Sequence, residues 1–447
     1  MEKIKILIPN NCQEEVKYTF HCLMEQFLGL EIEYKTSKED HFCIEGKNGK
    51  SLKIENFFFK TENPKNLYQK ASIPQNVQKT SLELSGKTHP HVCLYGKPII
   101  EITDSEYVLK SDLIGSSFFM LSRWEEMIYD AKLDRHQRFP LEASLAFKNN
   151  FYHRPIVNEY LELLRSLLEK IGYSQFKDHS YSATISYDID MITKWKSIKS
   201  LFQSVYLNLR SLKFQRIIQD KWSFFSSKLR LSKDPFFSFD FIINSLKGKQ
   251  IKAILYFKTD RTHSKFDKNF YNVRDPKIQS VFKKLRLENI GIGLHPSYNT
   301  YNNEEQMRRE YEKLNSALPS GNLTELRQHY LRFSIPKTWE IMEAIGFKKD
   351  SSMVYSKEPG FRCGLCYSFP VFDLKSRRML NLVESPLIFM ETPFLENANE
   401  IFKKLDELSQ IIKMYGGENI VLWHNNNLFY KKHRDTYRRV LEIINPG

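Results

Sequence analysis

From about residue 180 onward the chain alternates short apolar runs with long amphipathic patterns, and this alternation restricts the fold more than any other feature. The runs Ala183–Tyr187, Ala253–Phe257, Ile290–Leu294, Leu323–Leu326, Leu387–Met390 and Ile420–Trp423 have the length of buried strands. Between or after them, Asn303–Leu318, Pro336–Ile345, Ala398–Tyr415 and Lys431–Ile444 repeat apolar residues at helical spacing. Parallel strands need a crossover connection, so strand and helix in alternation predict a parallel sheet. With six or seven such units, the expectation is an α/β chain whose C-terminal part closes into a distorted (β/α)7 barrel.

In such folds chemistry collects at the C-terminal ends of the strands. The first run leads into Asp188 and Asp190, the third ends at His295, the fourth at Arg327 and His329, and the last at His424. One intervening residue puts Asp188 and Asp190 on the same face of an extended strand. Two adjacent carboxylates repel unless a cation or an arginine lies between them, so the pair is a metal site or part of a salt-bridge cluster. Asp190 with His295 offers one oxygen and one nitrogen ligand, a combination suited to zinc or a similar divalent ion. Any one of these residues alone reads as a capping aspartate or a satisfied core histidine; their joint placement at successive strand ends reverses that preference.

Four of these segments resemble the motifs of the polysaccharide deacetylase (NodB-homology) family. Ser186-Tyr187-Asp188-Ile189-Asp190 is similar to its first motif in a D-x-D form, and Gly291-Ile292-Gly293-Leu294-His295-Pro296-Ser297-Tyr298-Asn299 to its second. Arg327-Gln328-His329-Tyr330 resembles the third, and Leu422-Trp423-His424 the fifth. The resemblance covers about residues 180–447. It implies one divalent metal ion, usually zinc, and hydrolysis of acetyl groups on sugars. Asp190 and His295 would bind the metal, Asp188 would be the general base for the attacking water, and Arg327 would hold Asp188 in its ionised form. His424 would protonate the departing amine. Asn299 stands where the family has a second metal-binding histidine, and His329 stands where the third motif has proline, so either residue is a candidate to complete the ligand set. The fourth motif has no clear counterpart; Asp350 is the nearest.

Tyr330, Arg362 and Trp423 are candidates for contact with substrate. Tyr330 closes the third motif, Arg362 lies in the glycine-bounded loop Gly360-Phe361-Arg362-Cys363-Gly364, and Trp423 could stack on a sugar ring. The alternatives are an arginine salt bridge and packing in the core. Cys363-Gly-Leu-Cys366 has no second pair for a zinc site, and the bland reading is two reduced thiols in a loop.

Residues 1–175 read as an α+β domain and 176–447 as the deacetylase-like barrel. In the first part, Ile114–Tyr129 reads as one helix. Arg123-Trp124-Glu125-Glu126 and Asp134–Pro140 resemble segments of a domain of unknown function that precedes deacetylase domains in some bacterial proteins. A content of 41% hydrophobic and 27% charged residues describes a globular chain rather than a disordered one.

The formal net charge of +14 is partly local. Between Lys194 and Lys233 many lysines and arginines, interleaved with aromatic residues, face one acid, Asp220. The segment 194–233 is expected to be a basic aromatic helical insertion. One reading is peripheral contact with an anionic membrane; the other is a solvated face packed on the body. The N-terminal apolar run is shorter than a secretory signal, so the expected location is the cytoplasm, the inner face of the membrane being the place there if the basic segment is a membrane contact.

The function expected is deacetylation of a carbohydrate, an anionic or lipid-linked precursor being one such substrate. A catalytically weakened, glycan-binding relative is the alternative. No nucleic-acid motif accompanies the positive charge, so nucleic acid is not an expected partner.

Overall fold

The computed structural model describes residues 3–259, 264–267, 271–319 and 321–446. Strands β1 (Ile4–Pro9), β2 (Ile32–Ser37), β3 (His41–Glu45) and β4 (Ser51–Glu55) come first. Next are β5 (Gln78–Leu84) and β6 (Lys87–Cys93), which pair only with each other, then β7 (Gly96–Ile102) and β8 (Glu106–Ser111). The other six strands form a mixed sheet in the order β2-β1-β3-β4-β8-β7. In β3, β4 and β8 buried and more exposed residues alternate, as in a sheet with one face on a core.

The helix expected over Ile114–Tyr129 is broken. Leu113–Ser122 is helical, Arg123 takes the left-handed conformation at φ 53°, and Trp124–Met127 forms a separate turn. The Arg123 side chain is fully buried against Glu125 and Glu126, at 2.6 and 2.9 Å. A buried guanidinium needs such partners, and the kink delivers them.

In the second half β9 (Ser182–Ile189), β10 (Ile251–Phe257), β11 (Gly291–Leu294), β12 (Glu325–Leu326) and β13 (Lys349–Asp350) are joined by β14 (Phe369–Asp373), β15 (Arg378–Glu384), β16 (Phe389–Met390) and β17 (Glu418–His424). They form one sheet in the order β14-β15-β13-β12-β11-β10-β9-β17-β16. Each neighbouring pair is parallel except β14 with β15. The closed barrel expected from the number of units is not formed: among the described residues β14 and β16 do not pair, and the sheet stays open.

The gap between those edges is filled by other parts of the chain. The Gly360 and Phe361 N–H groups donate to Ile388 O and Tyr152 O, and Glu418 N donates to Cys366 O. Tyr18 of the first half donates its hydroxyl to Pro370 O on β14 and packs on Phe372, with ring centroids 4.9 Å apart. Edge-strand groups are thus satisfied without strand-to-strand closure. Gly360, at φ 147°, has the Tyr152 carbonyl where a β-carbon would be, so glycine is required for this approach. Buried residues of both halves join in one continuous apolar core.

Segment 194–233 contains the helices Ile198–Arg210 and Phe214–Lys228, a hairpin inserted after β9. Among the described residues, no helix is long and apolar enough to cross a membrane.

Candidate functional site

The polar residues at the strand ends converge because the strands run parallel and in register. Asp188 on β9 lies beside Tyr256 on β10 and His424 on β17. His295 N donates to Phe257 O, and Arg327 N donates to Leu294 O, which brings the ends of β11 and β12 to the same rim. Within β9, Ile185, Tyr187 and Ile189 alternate with Ser186 and Asp188. Asp188 and Asp190 both approach His295 Nε2, Asp188 through Oδ2 at 3.6 Å and Asp190 through Oδ1 at 3.5 Å.

Asp190, His295 and His329 bring one ligand atom each within 4.8 Å of one another. His329 Nε2 is 3.3 Å from Asp190 Oδ1. Tetrahedral zinc with bonds of about 2.0–2.1 Å separates its ligand atoms by roughly 3.3 Å, so these spacings suit a divalent ion.

The imidazole orientations fit as well. His295 Nδ1 lies 2.7 Å from Arg327 O, and His329 Nδ1 lies 3.1 Å from Asp267 Oδ1. Arg327 O fixes the His295 proton on Nδ1 and leaves its Nε2 lone pair facing the cluster, whereas at His329 Lys258 Nζ also lies 3.1 Å from Nδ1 and 3.3 Å from Nε2. Asp190 Oδ1 is buried and accepts no hydrogen bond. A buried carboxylate oxygen turned on an imidazole lone pair is stable beside a cation and costly without one.

On one side of the cluster lies Asp188, on which Arg327 Nη1 approaches Oδ1 at 3.4 Å. The guanidinium is fully buried and donates to Ser186 Oγ, Ser351 O and Ser351 Oγ at 2.7, 2.7 and 3.0 Å. It also lies over the Tyr256 ring, 4.6 Å from the centroid. Gly293 leaves room for that ring, since a β-carbon there would stand 2.4 Å from Tyr256.

On another side His424 Nε2 lies 4.0 Å from Asp188 Oδ2, and His424 Nδ1 lies 2.9 Å from Glu391 Oε1. Burial favours the neutral ring, but the Glu391 carboxylate, with Asp188 and Asp190, outweighs it and raises His424 to about 10. The imidazole is therefore a proton donor at neutral pH.

Three candidate residues fall outside this constellation. Asn299 is exposed, and its Oδ1 accepts from Arg332 Nη1 at 3.0 Å, which turns it away from a cation. After His295 the chain passes through Pro296 into the short 3-10 turn Thr300–Asn302 rather than a helix, so a spacing of four does not bring the side chain back. Trp423 is fully buried and packs on Tyr437 at 5.3 Å, on the face opposite His424. Adjacent strand residues point in opposite directions, so Trp423 cannot stack on a sugar at this rim while His424 faces the site. Arg362 donates to both Glu126 carboxylate oxygens at 3.0 and 2.6 Å and to Val354 O; it locks the two halves together rather than facing a ligand.

Tyr330 does lie at the rim, 36% exposed, with its ring 4.5 Å from His136 and 4.6 Å from His329. His136 belongs to the Asp134–Pro140 segment of the first half. Arg138 Nη1 of the same segment donates to Tyr330 O, and Arg332 Nε donates to His136 O. With Phe266 and Tyr298 these rings form an aromatic wall beside the cluster.

Lys258, Asp267 and Glu391 are functional candidates that sequence reasoning missed. Lys258 follows β10 and Glu391 follows β16, so the strand-end rule applied to every run would have found both. Lys258 Nζ lies 3.0 Å from Asp267 Oδ1 and 3.1 Å from His329 Nδ1. Asp267 sits in a connection with no periodic signal. Cys363 and Cys366 are buried free thiols, pushed up by burial.

Residues 4–173 match a family of unknown function, DUF7033. No curated protein sequence matches the chain. Among solved structures, the chain is similar to a protein assigned as a polysaccharide deacetylase from Mycobacterium smegmatis, with 12% identity, TM-score 0.37, and 60% of this chain and 85% of that one covered. It is also similar to PuuE allantoinase, with 11% identity, TM-score 0.37, and coverage of 59% and 84%. A third is a protein assigned as a polysaccharide deacetylase from Pseudomonas aeruginosa, with 10% identity, TM-score 0.34, and coverage of 59% and 85%.

Proposed function

We propose that the chain is a divalent-metal-dependent hydrolase that removes acetyl groups from amino sugars of a polysaccharide or its precursor. The observation that carries this reading is the convergence of Asp190, His295 and His329 between a carboxylate on one side and a protonated imidazole on the other. Asp190 Oδ1 and the two Nε2 atoms would hold the ion. A divalent ion bound there supplies Lewis acidity that polarises an acyl carbonyl and makes water more acidic.

Asp188 accepts the proton of the attacking water, and Arg327, itself fixed by Ser186 and Ser351, orients that carboxylate. His424 donates a proton to the departing amine nitrogen, a poor leaving group unless protonated, and Glu391 keeps the ring charged and oriented. Tyr330, the exposed ring of the aromatic wall, offers a face on which a sugar ring can stack.

Purified protein loaded with zinc, cobalt or nickel is expected to release acetate from N-acetylated oligosaccharides. Failure to bind any of these ions stoichiometrically, together with no acetate released, would overturn the enzyme reading and leave glycan binding.

A further inference from the structure

Most of the exposed large apolar side chains among the described residues lie on one hairpin, Ile198–Arg210 and Phe214–Lys228 with its flanks. Ile198, Phe202, Tyr206 and Leu209 follow one another at helical spacing along the first helix, each about half or more exposed. Phe214, Ile218, Trp222, Phe225 and Leu229 do the same along the second, with Ile218 at 70% and Trp222 at 74%. Two adjoining apolar stripes facing water are a large departure for a folded surface and mark a contact.

The opposite side of the hairpin is already used. Leu201 and Phe224 pack with Trp195, and Lys194 Nζ pairs at 2.6 Å with Asp220, the single acid of the segment, which is fully buried. Asn208 also donates to Asp220, and Lys213 and Arg216 pair with Glu396. The hairpin is therefore held on the body, and its apolar stripes are not a core turned inside out.

Charge selects the occupant. Lys199, Arg210, Lys221, Lys228 and Arg230 are exposed around the stripes, and no carboxylate of the segment is exposed there. The cleft of about 1600 Å³ at the hairpin's base is of mixed charge, lined by Lys228, Arg230 and Lys277 together with Asp234, Asp275 and Asp240, the last paired with Lys284, so the selecting charge is that of the helices themselves. We infer that the hairpin docks this protein on an anionic phospholipid surface, with Ile218, Trp222 and their neighbours among the acyl chains and the basic residues among the phosphates. Aromatic and aliphatic residues rimmed by lysine and arginine match that interface, whereas two such basic faces on identical chains repel. The hairpin follows β9, the strand that carries Asp188 and leads into Asp190.

The test is flotation of the full chain with vesicles of phosphatidylcholine alone or with phosphatidylglycerol added. The wild type is expected to float only with the anionic vesicles, and Ile218→Asp with Trp222→Asp to lose about 10-fold or more in affinity. Both positions are exposed, and circular dichroism checks that the variant is folded. The other four tryptophans are buried, so brominated lipid should quench wild-type fluorescence but not that of Trp222→Phe. Absence of wild-type binding to anionic vesicles, or equal binding by the double variant, would overturn the inference. A concentration-dependent dimer abolished by the double variant would assign the face to a second copy and overturn it as well.

Discussion

His329 Nε2 lies 3.3 Å from Asp190 Oδ1, although one residue follows β12 and the other follows β9, three strands away in the sheet. The pair exists because parallel order puts both strand ends on one rim. It makes His329, and not Asn299, the third candidate ligand.

His329→Ala is expected to lower zinc affinity by about 100-fold or more, read by competition with a chelating dye. Asn299→Ala is expected to leave it unchanged, because that side chain is engaged by Arg332. The opposite ranking would place the ion elsewhere.

Asp267 Oδ1 lies 3.1 Å from His329 Nδ1 and 3.0 Å from Lys258 Nζ, and so helps to orient the imidazole. Asp267→Asn is expected to weaken metal binding by roughly 10–100-fold without removing a ligand. Unchanged affinity in the folded variant would show that the orientation of His329 is set by other contacts.

Arg327 is a buried cation with a carboxylate and two serines as partners. Arg327→Met leaves Asp188 buried without its guanidinium, and a loss of about 3–5 kcal/mol in unfolding free energy is expected by urea titration. A loss within error of zero would mean that the arginine does not stabilise the Asp188 charge.

Glu391→Gln is expected to move the alkaline limb of the kcat–pH profile to lower pH. Burial alone lowers the pKa of His424, and the Glu391 carboxylate is the first of the charges that raise it to about 10. A donor works below its pKa, so removing that charge makes activity fail earlier as pH rises. An unshifted limb would exclude His424 as the acid.

Several positions show how far the sequence reached. Asp188, Asp190, His295, Arg327 and His424 were legible because each terminates an apolar run, and strand ends are set by local pattern. Trp423 could have been excluded on the same grounds, since its neighbour His424 faces the site and the side chains of a strand alternate. The break at Arg123 was not legible: helical periodicity continues through it, and only the buried partners Glu125 and Glu126 make the kink favourable.

The sequence alone determined the parallel α/β order, the rim on which polar residues gather and the two-sided character of the helical insertion, because these follow from short-range periodicity. The tertiary structure decided that the sheet stays open, that Arg362 faces Glu126, and that Asp267, Lys258 and Glu391 support the site. It also groups His329, rather than Asn299, with Asp190 and His295. Each of those outcomes depends on the path of a connection and on charges brought together from distant parts of the chain, and no local pattern carries that information.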